Sequence, residues 1–138
     1  MTIEEIKKIL ESYTLDKKYY NELIVDLEEM KSKYSKLSTK YGSVDLLNLE
    51  LNRVAKLSEK TLQNIERVES TINSLAQPSK DILYFKYIKK VPNHNIAMRL
   101  NYSLPRIYQL INVAIKEFAV MYSKIDGELN NHQDYSKL

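Results

Sequence analysis

Arg106, Gln109 and Asn112 recur at intervals of three in the stretch "SLPRIYQLIN", which runs from Ser103 to Asn112. On a helix that spacing keeps the three side chains on one side. Their guanidinium and amide groups are those that pair with base edges. Arg matches O6 and N7 of guanine, and Gln and Asn match N6 and N7 of adenine. Leu104 and Pro105 offer apolar contact to a thymine methyl, and Ser103 and Tyr108 complete the outward set. Lys89, Lys90, Arg99 and Lys116 are spaced to meet phosphates, which orient a protein on a duplex without reading its sequence. The chemistry expected of these residues is recognition of double-stranded DNA.

Bond-making chemistry lacks its parts. His94 and His132 are the only imidazoles, and neither has a carboxylate or thiol partner at a catalytic spacing. Two glycines are too few for a Gly-rich phosphate loop, and without cysteine there is neither a disulfide framework nor a thiolate metal site. The expectation is a protein that is not an enzyme, with no cofactor, no metal and no small-molecule substrate. No apolar run approaches the roughly 18 residues of a membrane span, and "MTIEEIKKIL" is too charged for a secretory signal. A cytoplasmic protein without membrane contact is expected.

The net charge of +3 conceals an asymmetry. Residues 1–77 hold 12 Lys/Arg against 13 Asp/Glu, whereas residues 79–124 hold 8 against 2, a balance of +6. A field concentrated in this way attracts polyanions.

The elements that must position these groups are helices. With two Gly and three Pro in 138 residues, an all-β chain lacks its turns, and the fold class expected is all-α. Thr2 and Glu5 have the spacing of a capping box and open a short helix expected to end near Tyr13. From about Asp16 a longer helix carries Tyr20, Leu23, Leu27, Met30, Tyr34, Leu37 and Tyr41 at alternating intervals of three and four, the a/d seam of a coiled coil. Gly42 stops it, and Ser43 caps a third helix whose seam runs from Val44 to Leu75, with polar interruptions at Ser58 and Thr61. The tight connection predicts an N-terminal antiparallel helical hairpin, coiled-coil-like, over residues 1–77. Its second arm is the longer, so Leu47, Leu51, Val54, Ile65, Val68 and Ile72 are the seam on which a homodimer is expected. The alternative is that the first helix folds back and completes a monomeric three-helix bundle.

Pro78 ends the heptad pattern, and residues 78–124 form the second domain. Ser79 caps a helix carrying Ile82, Leu83, Phe85, Tyr87 and Ile88, and Pro92 starts a short helix reaching Leu100. Ser103 then caps a last helix to about Lys124, and residues 125–138 are expected to be a flexible tail. Ala97 is small where the last two helices cross, Ile96 and Leu100 point inward, and Asn101 stands where the turn needs a left-handed residue. Ile107, Leu110, Ala114 and Phe118 make the buried side of the last helix. This is the pattern of a helix-turn-helix, whose second helix enters the major groove.

"KDILYFKYIKKVPNHNIAMRLNYSLPRIYQLINVAIKEF" also resembles region 4 of the sigma-70 family, through Leu83, Phe85, Tyr87, Ile96, Ala97, Leu100, Tyr102, Ser103, Ile107, Tyr108, Ala114 and Phe118. The layout, helical hairpin first and sigma-like reader last, is similar to phage late-transcription regulators of the ArpU, RinA and LtrC type. The resemblance implies a small activator in the bacterial host cytoplasm that binds a promoter upstream of packaging and structural genes, with host RNA polymerase as a partner. The chain departs from the sigma pattern at Pro92, His94 and Asn95, where Ser and two acidic residues are usual. A polymerase contact made through those acids has no counterpart, and their loss removes repulsion from nearby phosphates. Nothing in residues 1–77 resembles a promoter-melting segment, so a complete sigma factor is not expected. Two rivals stand beside this reading. One is a small terminase subunit that recognises phage DNA for packaging and assembles into rings. The other is a protein-interaction module that uses the hairpin and does not bind DNA.

Overall fold

Helix is the only regular structure among the residues that this computed structural model describes, 2–41 and 45–136, with side chains described for 2–36 and 46–127. Helix α1 spans Ile3–Tyr41, α2 Asp45–Asn73, α3 Ser79–Leu83, α4 Asn93–Leu100 and α5 Leu104–Ser136. Between α3 and α4 the chain continues as a π-helical turn, Tyr84–Ile88. The all-α class follows from a chain with few breakers.

The capping box forms: Thr2 N donates to Glu5 Oε2 and Glu5 N to Thr2 Oγ1, each at 3.2 Å. The break expected between Tyr13 and Asp16 does not form, and α1 is one continuous helix. No Gly or Pro lies between Met1 and Tyr41. Ser12 donates its hydroxyl to the Ile9 carbonyl at 2.8 Å, a bond made within the helix instead of a cap that would start a new one. Gly42 and Ser43, expected to make the turn, and Val44, expected to begin the seam of the third helix, lie outside the described residues, as do the side chains of Leu37 and Tyr41. Ser79 is no cap either. Pro78 holds that position, and Ser79 is buried inside α3. At the other end α5 does not stop near Lys124 but runs on to Ser136, so the expected tail is helical through that residue.

Packing divides the chain into two units: residues 1–14 with 66–138, and residues 15–65. The boundary crosses α1 and α2. In the 15–65 unit, Leu23 and Leu27 of α1 are buried with Val54 of α2, and Ile24, Met30, Leu51, Ala55 and Leu57 pack against them. In the other unit Ile6, Leu10, Ile72, Ile82, Leu83, Ile96, Ile107, Ile115 and Phe118 are each at most 1% exposed. Burying one such side chain contributes roughly 1.5–3 kcal/mol, so this second set dominates the apolar stabilisation.

The seam assigned to a second chain is largely filled within one. Val54, Ile65, Val68 and Ile72 are buried, Leu51 packs against the Leu23 cluster, and Leu47 alone of the six is half-buried without a place in that cluster. The buried polar residues of the seam are satisfied locally. Ser58 donates to the Ala55 carbonyl at 2.7 Å and Thr61 to the Leu57 carbonyl at 2.8 Å, so neither hydroxyl is stranded.

Candidate nucleic-acid interface

The turn between α4 and α5 is built by three consecutive residues. Asn101 has φ 60° and ψ 41°, the left-handed conformation that Asn tolerates better than most side chains. It lets the Tyr102 N–H reach back to the Ala97 carbonyl at 3.0 Å and close α4. Ser103 then opens α5: its hydroxyl accepts from the Arg106 N–H at 3.3 Å and its carbonyl from the Ile107 N–H at 3.0 Å. Pro105 follows in the first helical turn, where a missing N–H costs nothing.

This start fixes the rotation of α5. Ile107, Leu110, Ile111, Ala114, Ile115, Phe118 and Tyr122 are buried. Both α3 and α4 pack against α5. The seven side chains expected to read bases, Ser103, Leu104, Pro105, Arg106, Tyr108, Gln109 and Asn112, are all exposed, and so is Lys116. With about 100° per residue, Pro105, Gln109, Asn112 and Lys116 run down the middle of the exposed side. Tyr108, 51% exposed, flanks it on one edge and Arg106 on the other, while Leu104, 37% exposed, lies in line with the buried Ile111 and Tyr122. Arg106 and Gln109 are joined directly, the Arg106 Nη1 donating to Gln109 Oε1 at 3.1 Å. Val113, 46% exposed, was not among the expected site residues, yet it stands one turn beyond Gln109 on the same side. The i+4 spacing from Gln109 is the signal that marks it.

The cations expected at phosphates are exposed as well, and two of them lie over aromatic rings. The Arg99 guanidinium carbon is 5.4 Å from the centre of the Phe85 ring, and Lys89 Nζ is 5.7 Å from that of Tyr84. A cation held over a ring face keeps its N–H groups free for an anion. Lys90 adopts φ 57°, which ends the π-helical turn. In that turn the Lys89 N–H bonds the Tyr84 carbonyl at 3.0 Å and the Val91 N–H bonds the Phe85 carbonyl at 2.8 Å, spacings longer than an α-helix allows.

Lys86 is a further cation that sequence reasoning passed over. Its Nζ donates to Asn93 Oδ1 at 3.1 Å and lies 5.6 Å from the Tyr87 ring centre. Burial holds its pKa below the usual lysine value, Glu11 opposes the shift, and Lys7 and Lys90 add to it. Burial also raises the Tyr87 pKa, with Glu11 acting in the same direction. The first turns of α1 therefore form part of the surroundings of this turn, a tie that spacing alone does not reveal.

Among the described residues no three His, Asp or Glu side chains converge as a metal site requires, and no helix is long and apolar enough to cross a membrane. Comparison of the chain with protein-family models, with curated proteins and with solved structures finds no match.

Proposed function

We propose that the chain is a sequence-specific DNA-binding transcriptional regulator, in which α4 and α5 act as a helix-turn-helix and the start of α5 enters the major groove. One observation carries the reading. The turn at Asn101–Ser103 rotates α5 so that Ile107, Leu110, Ile111, Ala114, Ile115 and Phe118 are buried while every base-reading candidate is exposed. The balance of +6 over residues 79–124 supports it, because a duplex presents a dense row of phosphates. The resemblance to phage late regulators extends the reading to an activator of packaging and structural genes that works at a promoter with host RNA polymerase. In this reading α1 and α2 form a near-neutral helical hairpin that stays off the DNA. The homodimer expected on the seam belongs to this reading, with Val54, Ile65, Val68 and Ile72 of that seam buried within one chain.

The test is equilibrium binding of the full chain to random duplexes and to duplexes selected from them. Affinity for the selected duplex is expected to fall by orders of magnitude between about 50 and 200 mM salt. Lys90→Ala is expected to weaken both duplexes alike and to flatten the salt slope by roughly one unit. Arg106→Ala is expected to cost about 1–3 kcal/mol more on the selected duplex than on random duplexes. A flat salt response, or equal affinity for selected and random DNA, rejects the proposal.

A further inference from the structure

Arg106 and Gln109 differ from the other exposed side chains of α5 in being bonded to each other. They lie about 60° apart around the helix, Gln109 on the middle line and Arg106 at the edge, so the bond draws the guanidinium towards the middle. The backbone end of Arg106 is fixed too, through its N–H to Ser103 Oγ. A Gln amide has one carbonyl oxygen and one NH2 group. Paired reading of adenine uses both: the oxygen accepts from N6 and the nitrogen donates to N7. Here Oε1 already accepts from Arg106, which occupies one of its two lone pairs, so the paired reading of adenine by Gln109 competes with this bond. The guanidinium has five N–H donors, of which this bond takes one, and the pair of them that matches O6 and N7 of guanine remains available.

The acceptor's chemistry matters as well. No Asp or Glu lies within ten residues of Arg106 on either side in the sequence. A carboxylate at position 109 would hold the guanidinium more strongly but would cancel its charge beside the phosphates. A neutral amide orients it and leaves the charge intact. We infer that Gln109 is a positioning residue for Arg106, and that the two side chains together read a single guanine instead of a guanine and a separate adenine. The inference rests on the DNA-reading assignment of α5 and specifies which base class that face selects.

Selection from random duplexes with the full chain tests it, comparing wild type with Arg106→Ala, Gln109→Ala, Gln109→Glu and the double Ala variant. Both side chains are exposed, so these changes leave the core intact. Preference ratios are read, not affinities, because Gln109→Glu adds a negative charge that weakens all DNA alike. Arg106→Ala is expected to reduce discrimination at one G·C pair by about ten- to a hundredfold. Gln109→Ala is expected to reduce discrimination at the same pair by about fivefold, with no further loss in the double variant, as coupled residues require. Gln109→Glu, which keeps an acceptor and has no N–H to donate, is expected to retain the guanine preference. Loss of an adenine preference at a different pair in Gln109→Ala overturns the inference, as does loss of the guanine preference in Gln109→Glu. A wild-type protein that selects no sequence overturns the DNA-reading assignment itself, an outcome visible before any variant is compared.

Discussion

The 15–65 unit and the segment 79–124 are both helical and both amphipathic, yet they treat their surfaces oppositely. The first holds 9 Lys/Arg against 8 Asp/Glu, and its buried apolar residues among those described are Leu23, Leu27, Val54 and Ile65. Its exposed ion pair, Glu50 with Arg53 at 3.0 Å between Oε2 and Nε, is the kind of contact that adds little stability. The second holds 8 cations against 2 anions over a core that includes Ile82, Leu83, Ile96, Ile107, Ile115 and Phe118. An uncompensated field costs self-repulsion, which a deep core can offset and a thin one cannot. Under the proposed function this concentrated charge is the surface that meets the duplex.

The largest effect expected to sharpen that contrast is a difference between two cavities. Phe118→Ala should destabilise the chain by about 3–5 kcal/mol, because Phe118 is fully buried and stacks on Tyr122 with ring centres 5.5 Å apart. Leu27→Ala should cost only about 2 kcal/mol, since a two-helix cluster can collapse around the space left behind. Urea unfolding measures both. Equal losses would mean that the two units do not differ in depth.

A smaller effect is expected at the turn that orients α5. Asn101→Val forces a β-branched residue to φ 60° and should cost about 1–2 kcal/mol, whereas Asn101→Gly should leave stability nearly unchanged. DNA affinity should follow the same order. If Asn101→Gly destabilises as much as Asn101→Val, the side chain of Asn101 matters for something other than the backbone it permits.

The smallest effect concerns Lys86. Its folded pKa lies below its ordinary 10.5, so between those two values the unfolded chain binds more protons, and stability rises with pH. Tyr87 acts in the opposite sense above its ordinary 10.0, where the unfolded chain loses a proton that the folded one keeps. Lys86→Met removes the first contribution and leaves the second. The stability of wild type relative to Lys86→Met is thus expected to increase as pH rises towards the ordinary lysine value of 10.5. A pH-independent difference would mean that Lys86 is as well solvated as any surface lysine.

Much of α4 and α5, and the start of α1, was legible because it depends on local rules. The Thr2–Glu5 box, the left-handed Asn101, the cap at Ser103 and the inward set Ile96, Ala97, Ile107, Leu110, Ala114 and Phe118 each follow from spacings of at most a few turns. What was not legible depends on tertiary packing. Ile6 and Leu10 are buried in the same unit as Phe118, and the Tyr13 hydroxyl donates to the Glu69 carboxylate, contacts that no periodicity connects. For the same reason the seam from Val54 to Ile72 reads as an open face in sequence, although one chain buries it. Lys86 escaped notice because a lysine's spacing does not tell whether its stem is half-buried.

Amide chemical shifts of the full chain, followed by NMR as a duplex selected for binding is added, test the central claim most directly. The account predicts that the signals of Ser103–Lys116 shift most, that those of Lys89, Lys90 and Arg99 shift next, and that residues 15–65 stay in place. Shifts concentrated in residues 15–65, or none along α5 at a saturating concentration of DNA, would contradict it.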